Sequence, residues 1–536
     1  MPLSRFRRLL LCLAGGLLLA GCGRELRRAD LVFLNGAEPE SLDPALITGQ
    51  PEGRLVYALF EGLTRFDSAA RVVPGVAERW EISPDGRVYT FHLRDGARWS
   101  NGEPVTADDF LASWRRVLTP ETGADYASQL YPIRNAKRFN EGELTDFSQV
   151  GVRVLNPRVL EVTLENPTSF FLDLCAFATL APVHLPTVER YGDDWIKPGR
   201  IVGNGAFTLA EWRINDRVRL AKSPTYWGRD RVKMKTVDAL PMSSATTAFN
   251  FYSTGEVDLL IDKGLVPNQI LDDLKKRPDI HIAPFLATYF LRFNVTKPPF
   301  DDVRVRKALS MVVDKKLLVE KITRAGEPPA NGIVPPGTGG DYASVEGLPY
   351  DPAKARQLLA DAGFPGGRGF PLVRYLYNYS EANEAIAVEI KGMWKRELGV
   401  ELDLQRQEWK AYLRAMSAMD YDVCRGSWVG DYNDPNTFLG IFVTGDGNNR
   451  TGWSNPAYDG LIAEAAREAD PQTRFAVFRR AEELLITGDA PVFPIYYFVG
   501  IQFYDADKLG GIQANLLDEH PISEVYWKTP DGERPR

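Results

Sequence analysis

The chain has 536 residues, a formal net charge of −7 and a sequence pI near 5.5, with 44% hydrophobic and 11% aromatic residues. A mildly acidic balance excludes a nucleic-acid partner, whose phosphates require a basic face. A body of this size and composition is expected to fold as two to three lobes with packed cores.

The chain opens on Arg5, Arg7 and Arg8, an apolar run from Leu9 to Leu19, and then Ala20-Gly21-Cys22. That run falls short of the roughly 20 apolar residues that cross a bilayer. A basic start, a short apolar centre and a small-residue cleavage site are the parts of a secretory signal. Leu19-Ala20-Gly21-Cys22 resembles the bacterial lipobox, which implies lipidation of the Cys22 thiol and removal of residues 1–21. The mature chain would then have 515 residues (536 less 21), and loss of three arginines takes the net charge from −7 to −10. An ordinary signal peptide with an incidental cysteine is the competing reading. Residues 22–30 are short and polar, as expected of a tether between lipid and body. Gly23 is not the aspartate that retains lipoproteins in the inner of two membranes, which leaves the choice of membrane open.

Strand-like and helix-like stretches alternate from Leu31 onward. Val88 to Leu93 reads as a strand and Arg94-Asp95-Gly96 as its turn. Thr106, with Asp109 three residues later, imitates a capping box, and Phe110, Trp114 and Leu118 recur at helical spacing. The Pro/Gly-rich segment Glu327 to Gly340 is expected to be a long surface loop. Asp351-Pro352 starts a helix and Gly363 stops it; Glu381 to Leu398 is a second, closed by Gly399. Val400 to Leu404 and Tyr421 to Trp428 look extended, with a helix from Trp409 to Met419 between them. The alternation predicts α/β lobes.

No nucleophile elbow, phosphate loop or H-E-x-x-H motif is present. The four histidines (His92, His184, His281, His520) are scattered, and His92 and His281 lie in strand-like stretches that suit structural roles. Without a closely spaced Cys/His cluster, structural zinc and other metals are not expected. Cys175 and Cys424 sit among apolar residues and read as buried free thiols, although an oxidising compartment would permit a pair. Asp431 and Asp434 could form a carboxylate pair, but acids three residues apart rarely flank one bond at the separation a glycosidase needs. No catalytic residue or cofactor is expected.

Nine segments, in order, carry a resemblance to a known family. They are Ala37-Glu-Pro-Glu-Ser-Leu-Asp-Pro44, Leu59-Phe-Glu-Gly-Leu63, Pro74-Gly-Val-Ala-Glu-Arg-Trp80 and Trp99-Ser-Asn-Gly-Glu-Pro-Val-Thr-Ala-Asp-Asp-Phe110. Gly203-Asn-Gly-Ala-Phe207, Ser223-Pro-Thr-Tyr-Trp227 and Tyr252-Ser-Thr-Gly-Glu-Val-Asp258 follow. Pro299-Phe-Asp-Asp-Val-Arg-Val-Arg-Lys-Ala-Leu309 and Asp431-Tyr-Asn-Asp-Pro435 complete the set. Together they resemble the oligopeptide-binding family of ABC-transporter solute-binding proteins, across nearly the whole mature chain.

That resemblance implies an α/β, three-lobed periplasmic-binding-protein-like fold with a two-strand hinge. Lobe I would comprise 28–60, 184–286 and 500–536, lobe II 61–183, and lobe III 287–499. It also implies a monomer, lipid-anchored outside the cytoplasm (periplasmic where there are two membranes), that hands a peptide to ABC permease subunits. In this family the peptide is clamped as an added β-strand. The matching clamps here are Thr48-Gly49-Gln50 and Gly426-Ser427-Trp428-Val429, with Gly49 and Gly426 admitting close backbone approach. Asp431 occupies the position that pairs with the peptide α-ammonium. Trp428, Trp409, Tyr252, Phe285 and Tyr289 are candidate pocket walls, each also able to serve in a core.

The carboxyl end departs from the family pattern. Asn383 and Thr323 stand where some members place histidine and lysine, and Arg425 matches a basic residue near the ligand or pairs with a lobe III acid. Ala287 and Val429 stand where some members have a disulfide. Relatives of this fold that bind metal chelates, haem or oligosaccharides supply one alternative cargo class, as do murein peptides. A secreted hydrolase using Asp431 and Asp434 is a third reading.

Overall fold

The computed structural model describes residues 28–468 and 470–535. The signal segment and Cys22 lie outside the described residues. Strands in chain order are β1 (Leu31–Gly36), β2 (Thr64–Phe66), β3 (Val72–Pro74), β4 (Ala77–Ile82), β5 (Val88–Leu93), β6 (Val152–Asn156) and β7 (Val159–Thr163). Next come β8 (Phe207–Arg213), β9 (Arg217–Lys222), β10 (Thr236–Pro241), β11 (Leu259–Leu260) and β12 (Ile280–Phe293). The last are β13 (Val373–Asn378), β14 (Leu402–Gln407), β15 (Val423–Val429), β16 (Val492–Phe503), β17 (Leu509–Gly510) and β18 (Tyr526–Trp527).

Ten of these strands form one sheet in the order β14-β13-β15-β12-β16-β11-β1-β10-β9-β8. A separate four-stranded antiparallel sheet, β4-β5-β7-β6, carries the helix Ala107–Leu118 near its edge. The two longest strands, β12 and β16, join the halves of the large sheet. Both are almost continuously apolar and buried in their central stretches, as strands covered on both faces must be. Residues 287–293 of β12 pair with β15, while residues 280–284 pair with the end of β16 that reaches β11. Their mutual register breaks between Pro284 and Thr288, where a proline cannot donate to the ladder. Two long paired strands joining the halves of the sheet are what the resemblance implies for a hinge.

Local signals in the sequence are realised closely. Asp109 accepts the Thr106 backbone N–H at 2.7 Å and completes the capping box. The helices Pro352–Asp361 and Glu381–Leu398 start on the Asp351 and Ser380 caps, and Gly399 ends the second with φ 72°. Three of the sequence motifs converge on one buried acid. Glu61 accepts the indole N–H of Trp227 at 2.5 Å and the Tyr226 hydroxyl, while Asn204 exchanges two hydrogen bonds with the Glu61 backbone. Gly205 must lack a Cβ, which would fall 2.5 Å from the Leu59 carbonyl carbon.

Two expectations are corrected. Glu327 to Gly340 lacks regular structure, as foreseen, but it is not a surface loop: Ala330, Ile333, Val334 and Thr338 are fully buried. Glu482, itself buried, accepts Val334 N–H at 2.8 Å and the Tyr342 hydroxyl at 2.7 Å, so the segment is pinned by a carboxylate beneath it. The tether also ends sooner than residue 30. Ala29 is buried, Arg28 pairs with Asp258 at 3.2 Å, and Asp30 N–H joins Thr236 O before β1 begins. Cys175 and Cys424 are buried free thiols. Each histidine has a hydrogen-bond partner: Arg79 and Glu81 for His92, Thr187 and Glu103 for His184, Tyr504 O for His281, and Asp518 for His520. Among the described residues no helix is long and apolar enough to cross a membrane.

Burial pushes the Glu482 carboxyl up to about 7 from an ordinary 4.5. The folded chain therefore keeps a proton that the unfolded chain releases, so this group favours folding at acidic pH. Its contribution fades as pH rises from about 4.5 to about 7, by an amount on the order of 3 kcal/mol. Thermal unfolding followed from pH 5 to pH 8 is expected to show a falling Tm, with a shallower fall in Glu482→Gln. An identical slope in both proteins would remove Glu482 as the cause.

Candidate functional site

The site forms where β15 outruns its neighbour. β15 pairs with β12 over its whole length, but parallel β13 accompanies it only at Val423 and Cys424. In an antiparallel ladder alternate residues bond to the same neighbour. Gly430 N–H donates to Leu286 O and Asn294 N–H to Asp422 O, so residues 424, 426 and 428 face β12. Arg425, Ser427 and Val429 turn their peptide groups the other way. Tyr412 Oη donates to Arg425 O at 2.7 Å, and beyond it the N–H and C=O of Ser427 and Val429 point into a cleft. The cavity there has a volume of about 310 Å³, within the range of small-ligand sites.

The chain turns at Gly430 and presents Asp431 at the end of this open edge. Thr437, in the helix Asn436–Leu439, accepts Asp431 N–H at 2.9 Å and donates its hydroxyl to Asp431 Oδ2 at 3.3 Å. Gln129 Nε2, from the 3-10 turn Ala127–Leu130, donates to the same oxygen at 3.0 Å. Both partners are neutral, and no cation lies within ion-pair distance among the described residues. Enclosure in the cleft holds the Asp431 carboxyl well above the usual carboxylate range, and the negative field of Glu519 and Asp446 adds to it. A group in this setting is completed by a positive charge with donors of its own.

Asp434 is separate from this arrangement. It caps the following helix by accepting Asn436 N–H at 2.9 Å and is held bidentately by Arg474 at 2.5 and 2.9 Å. It lines a different cavity, of about 970 Å³, between residues 128–174 and 432–475. The Asp431/Asp434 carboxylate pair considered for a hydrolase is therefore not assembled.

The remaining expected residues divide into two groups. Arg425, Ser427, Trp428, Val429, Thr48, Gly49, Gln50, Trp409, Asn383, Thr323 and Phe285 all line the cleft that Asp431 faces. Thr48-Gly49-Gln50 does so without forming a strand. Gly49 is the extended N-cap of the helix Gln50–Leu59, and Pro51 near its start has no N–H for a ladder. What approaches Gly49 most closely is the Glu52 carboxylate, followed by Trp409, whose ring would lie 2.8 Å from an added Cβ. Asn383 is committed to Asn378 at 3.1 Å, and Thr323 to Val319 O at 3.4 Å.

Three expected residues lie elsewhere. Gly426 faces Phe290, which an added Cβ would meet at 2.8 Å, so its small size serves packing between β15 and the core. Tyr289 is fully buried beneath Arg425, stacked on Tyr496 at 4.9 Å. Tyr252 binds Asp279 at 2.9 Å and packs on Phe503, away from the cleft. Arg425 lies over the Tyr289 ring at 5.0 Å and makes no ion pair among the described residues, so a lobe III acid is not its partner. Ala287 and Val429, where some relatives carry a disulfide, are direct cross-strand neighbours. Sequence reasoning missed Gln129, Thr437, Tyr412 and Glu519, whose roles come from distant segments folding together and leave no local motif.

Contacts across the cleft hold it closed. Trp409 Nε1 donates to Glu52 at 3.1 Å, Arg414 pairs with Glu40 at 3.1 Å, and Phe170 stacks on Tyr432 at 4.2 Å.

The chain resembles proteins with this architecture over its full body. The profile of the bacterial extracellular solute-binding proteins, family 5 Middle, matches residues 71–450. The periplasmic oligopeptide-binding protein OppA of Escherichia coli is 38% identical over 506 residues, covering 92% of each chain. Haemophilus influenzae OppA in complex with the peptide RPPGFSPFR superposes with a TM-score of 0.88 at 32% identity, over 93% of this chain and 99% of that one. The Escherichia coli murein tripeptide binding protein MppA gives 0.88 at 36% identity (94% and 99% covered), whereas its unliganded open form gives 0.61 at 35% (94% and 98% covered). The lower score for the open form agrees with the contacts that bridge the cleft here. With the family profile matched across residues 71–450 and such relatives covering nine-tenths of both chains, the chain belongs to family 5 of the bacterial extracellular solute-binding proteins.

Proposed function

We propose that this chain is a lipid-anchored receptor that captures peptides outside the cytoplasm and delivers them to the permease of an ABC importer. Peptides differ in side chains but share a backbone and two charged ends, so a receptor for many of them must use those. The open edge of β15 at Ser427 and Val429 offers the backbone a strand to pair with. Asp431 offers the α-ammonium a carboxylate that has only Gln129 and Thr437 for company. That carboxylate, unpaired and enclosed at the end of an open strand edge, carries the reading. Arg425 is the matching unpaired cation further along the same strand, and Asn383 and Thr323 add no charge there. A murein peptide, the cargo named for one relative, has the same free amine and falls within this class.

In this reading lobe I is 28–60, 184–286 and 500–536, lobe II 61–183 and lobe III 287–499, with closure about β12 and β16. A ligand held by β15 on one side and by residues 48–50 on the other binds the closed state better than the open one, and that difference drives closure.

Asp431→Ala is expected to weaken binding of a free-amine peptide at least about 30-fold in calorimetry, since the partner charge is left buried and unpaired. Its Tm without peptide should stay near that of the wild type, and equal affinity in the two proteins would overturn the assignment. N-methylation of the peptide amides that face β15 should cost about tenfold or more, whereas methylation of the intervening amides should cost little. Equal losses at every amide would rule out strand pairing. Cys22→Ser should move the protein from the detergent phase to the aqueous phase in cloud-point partitioning; a wild-type protein already in the aqueous phase would remove the lipid.

A further inference from the structure

Five cations line the cleft: Arg54, Lys263, Arg292, Arg425 and Arg450. Three are paired, Arg54 with Asp262 at 3.5 Å, Lys263 with Glu327 and Arg450 with Asp125. Arg425 lies on the face of β15 that carries Val429. Arg292 lies on the opposite face, directly across the ladder from Cys424. It is only 2% exposed, and among the described residues it has no carboxylate partner. Its Nη1 meets Met416 Sδ at 3.2 Å, its Nη2 reaches Asn448 O at a long 3.4 Å, and its Nε has no acceptor. In the same cleft Asn448 Oδ1, Arg450 Nε and Trp428 Nε1 are likewise buried without partners, and all four residues line it. A guanidinium out of water without an acid is costly, and a planar carboxylate is the group that fits its fork.

Strand geometry says which part of a ligand arrives there. Side chains on an added strand alternate between the two faces of the sheet. An ammonium at Asp431 sets the first ligand residue opposite Val429, with the chain running antiparallel to β15. Even-numbered residues of the ligand then lie on the face of Trp428 and Arg292; the second is opposite Trp428, and Arg292 enters the same cleft from four positions along, opposite Cys424.

We propose that Arg292, with Asn448 beside it and Trp428 on the same face of the ladder, forms a subsite for an acidic side chain on the peptide residue following the amino-terminal one. The site therefore selects peptides with Asp or Glu at the second position. This rests on the peptide-receptor reading above, and its test separates the two.

The full-length protein is titrated by calorimetry with the tetrapeptides Ala-Glu-Ala-Ala, Ala-Gln-Ala-Ala and Ala-Lys-Ala-Ala, and with Glu moved to the first or third position. The Glu peptide at position two should bind roughly tenfold or more tightly than the Gln peptide, with the Lys peptide weakest. Glu at positions one or three should confer no such gain. Arg292→Met should bring the Glu and Gln peptides to equal affinity while leaving the Gln peptide no weaker. Equal wild-type affinity for the Glu and Gln peptides would overturn the subsite with the peptide reading intact, and needs no variant. Binding of none of the peptides would overturn the peptide reading instead. If Arg292→Met equalises acid and amide forms of the peptide C-terminus rather than of the second side chain, Arg292 serves the terminal carboxylate and the proposal fails.

Discussion

A carboxylate removed from bulk water needs either a proton or a positive charge, and the arrangement around Asp431 leaves that need to be met from the cleft. Gln129 and Thr437 fix the orientation of the group, but neither neutralises it. Because Gln129 comes from the turn Ala127–Leu130 and Thr437 from the helix Asn436–Leu439, some 300 residues apart in sequence, the carboxylate is enclosed only when those segments meet. Closure and the demand for a cation are thus one event. The neighbouring Asp434 shows the contrast: with Arg474 bound to both of its oxygens, it is a finished structural pair and has no charge left for a ligand.

The large sheet makes this possible by being incomplete. β13 diverges from β15 after Cys424, so a strand that is interior at one end becomes an edge at the other. Exposed edges are normally hazards for aggregation. Here the edge borders a cleft lined by the start of the helix Gln50–Leu59 from the facing side and by Trp409 from its own side, which lets unpaired peptide groups persist without being open to another sheet. The register break in β12 and β16 supplies the flexible joint without cutting the sheet, since both strands remain paired on either side of it.

Charge in the cleft is arranged by position along one ladder. Asp431 follows the end of β15 by two residues, Arg425 lies four residues before Val429 on one face, and Arg292 sits on the other face through its place in β12. The two arginines lie on opposite faces of the ladder because alternate side chains point to opposite faces. Neutral Asn383 and Thr323 make Arg425 the more isolated as a cation.

Several features were legible in the sequence because their causes are local. Helix caps at Thr106, Asp351 and Ser380 and the stop at Gly399 depend on a few adjacent residues, and nine short segments in order carried the resemblance to the family. Burial of the Glu327–Gly340 segment was hidden, since it depends on Glu482 beneath it, some 150 residues away. Thr48-Gly49-Gln50 was read as a strand from resemblance, whereas Pro51 makes it a helix start that still reaches the cleft. Tyr289 and Tyr252 were plausible walls by type, and only the groups packed on them, Arg425 and Tyr496 on the first and Asp279 and Phe503 on the second, sent them to cores. The sequence by itself determined the family, the helix boundaries and the acid at the end of β15. Only the tertiary structure decided which charges are left unpaired, because pairing depends on distances between segments that no local pattern records.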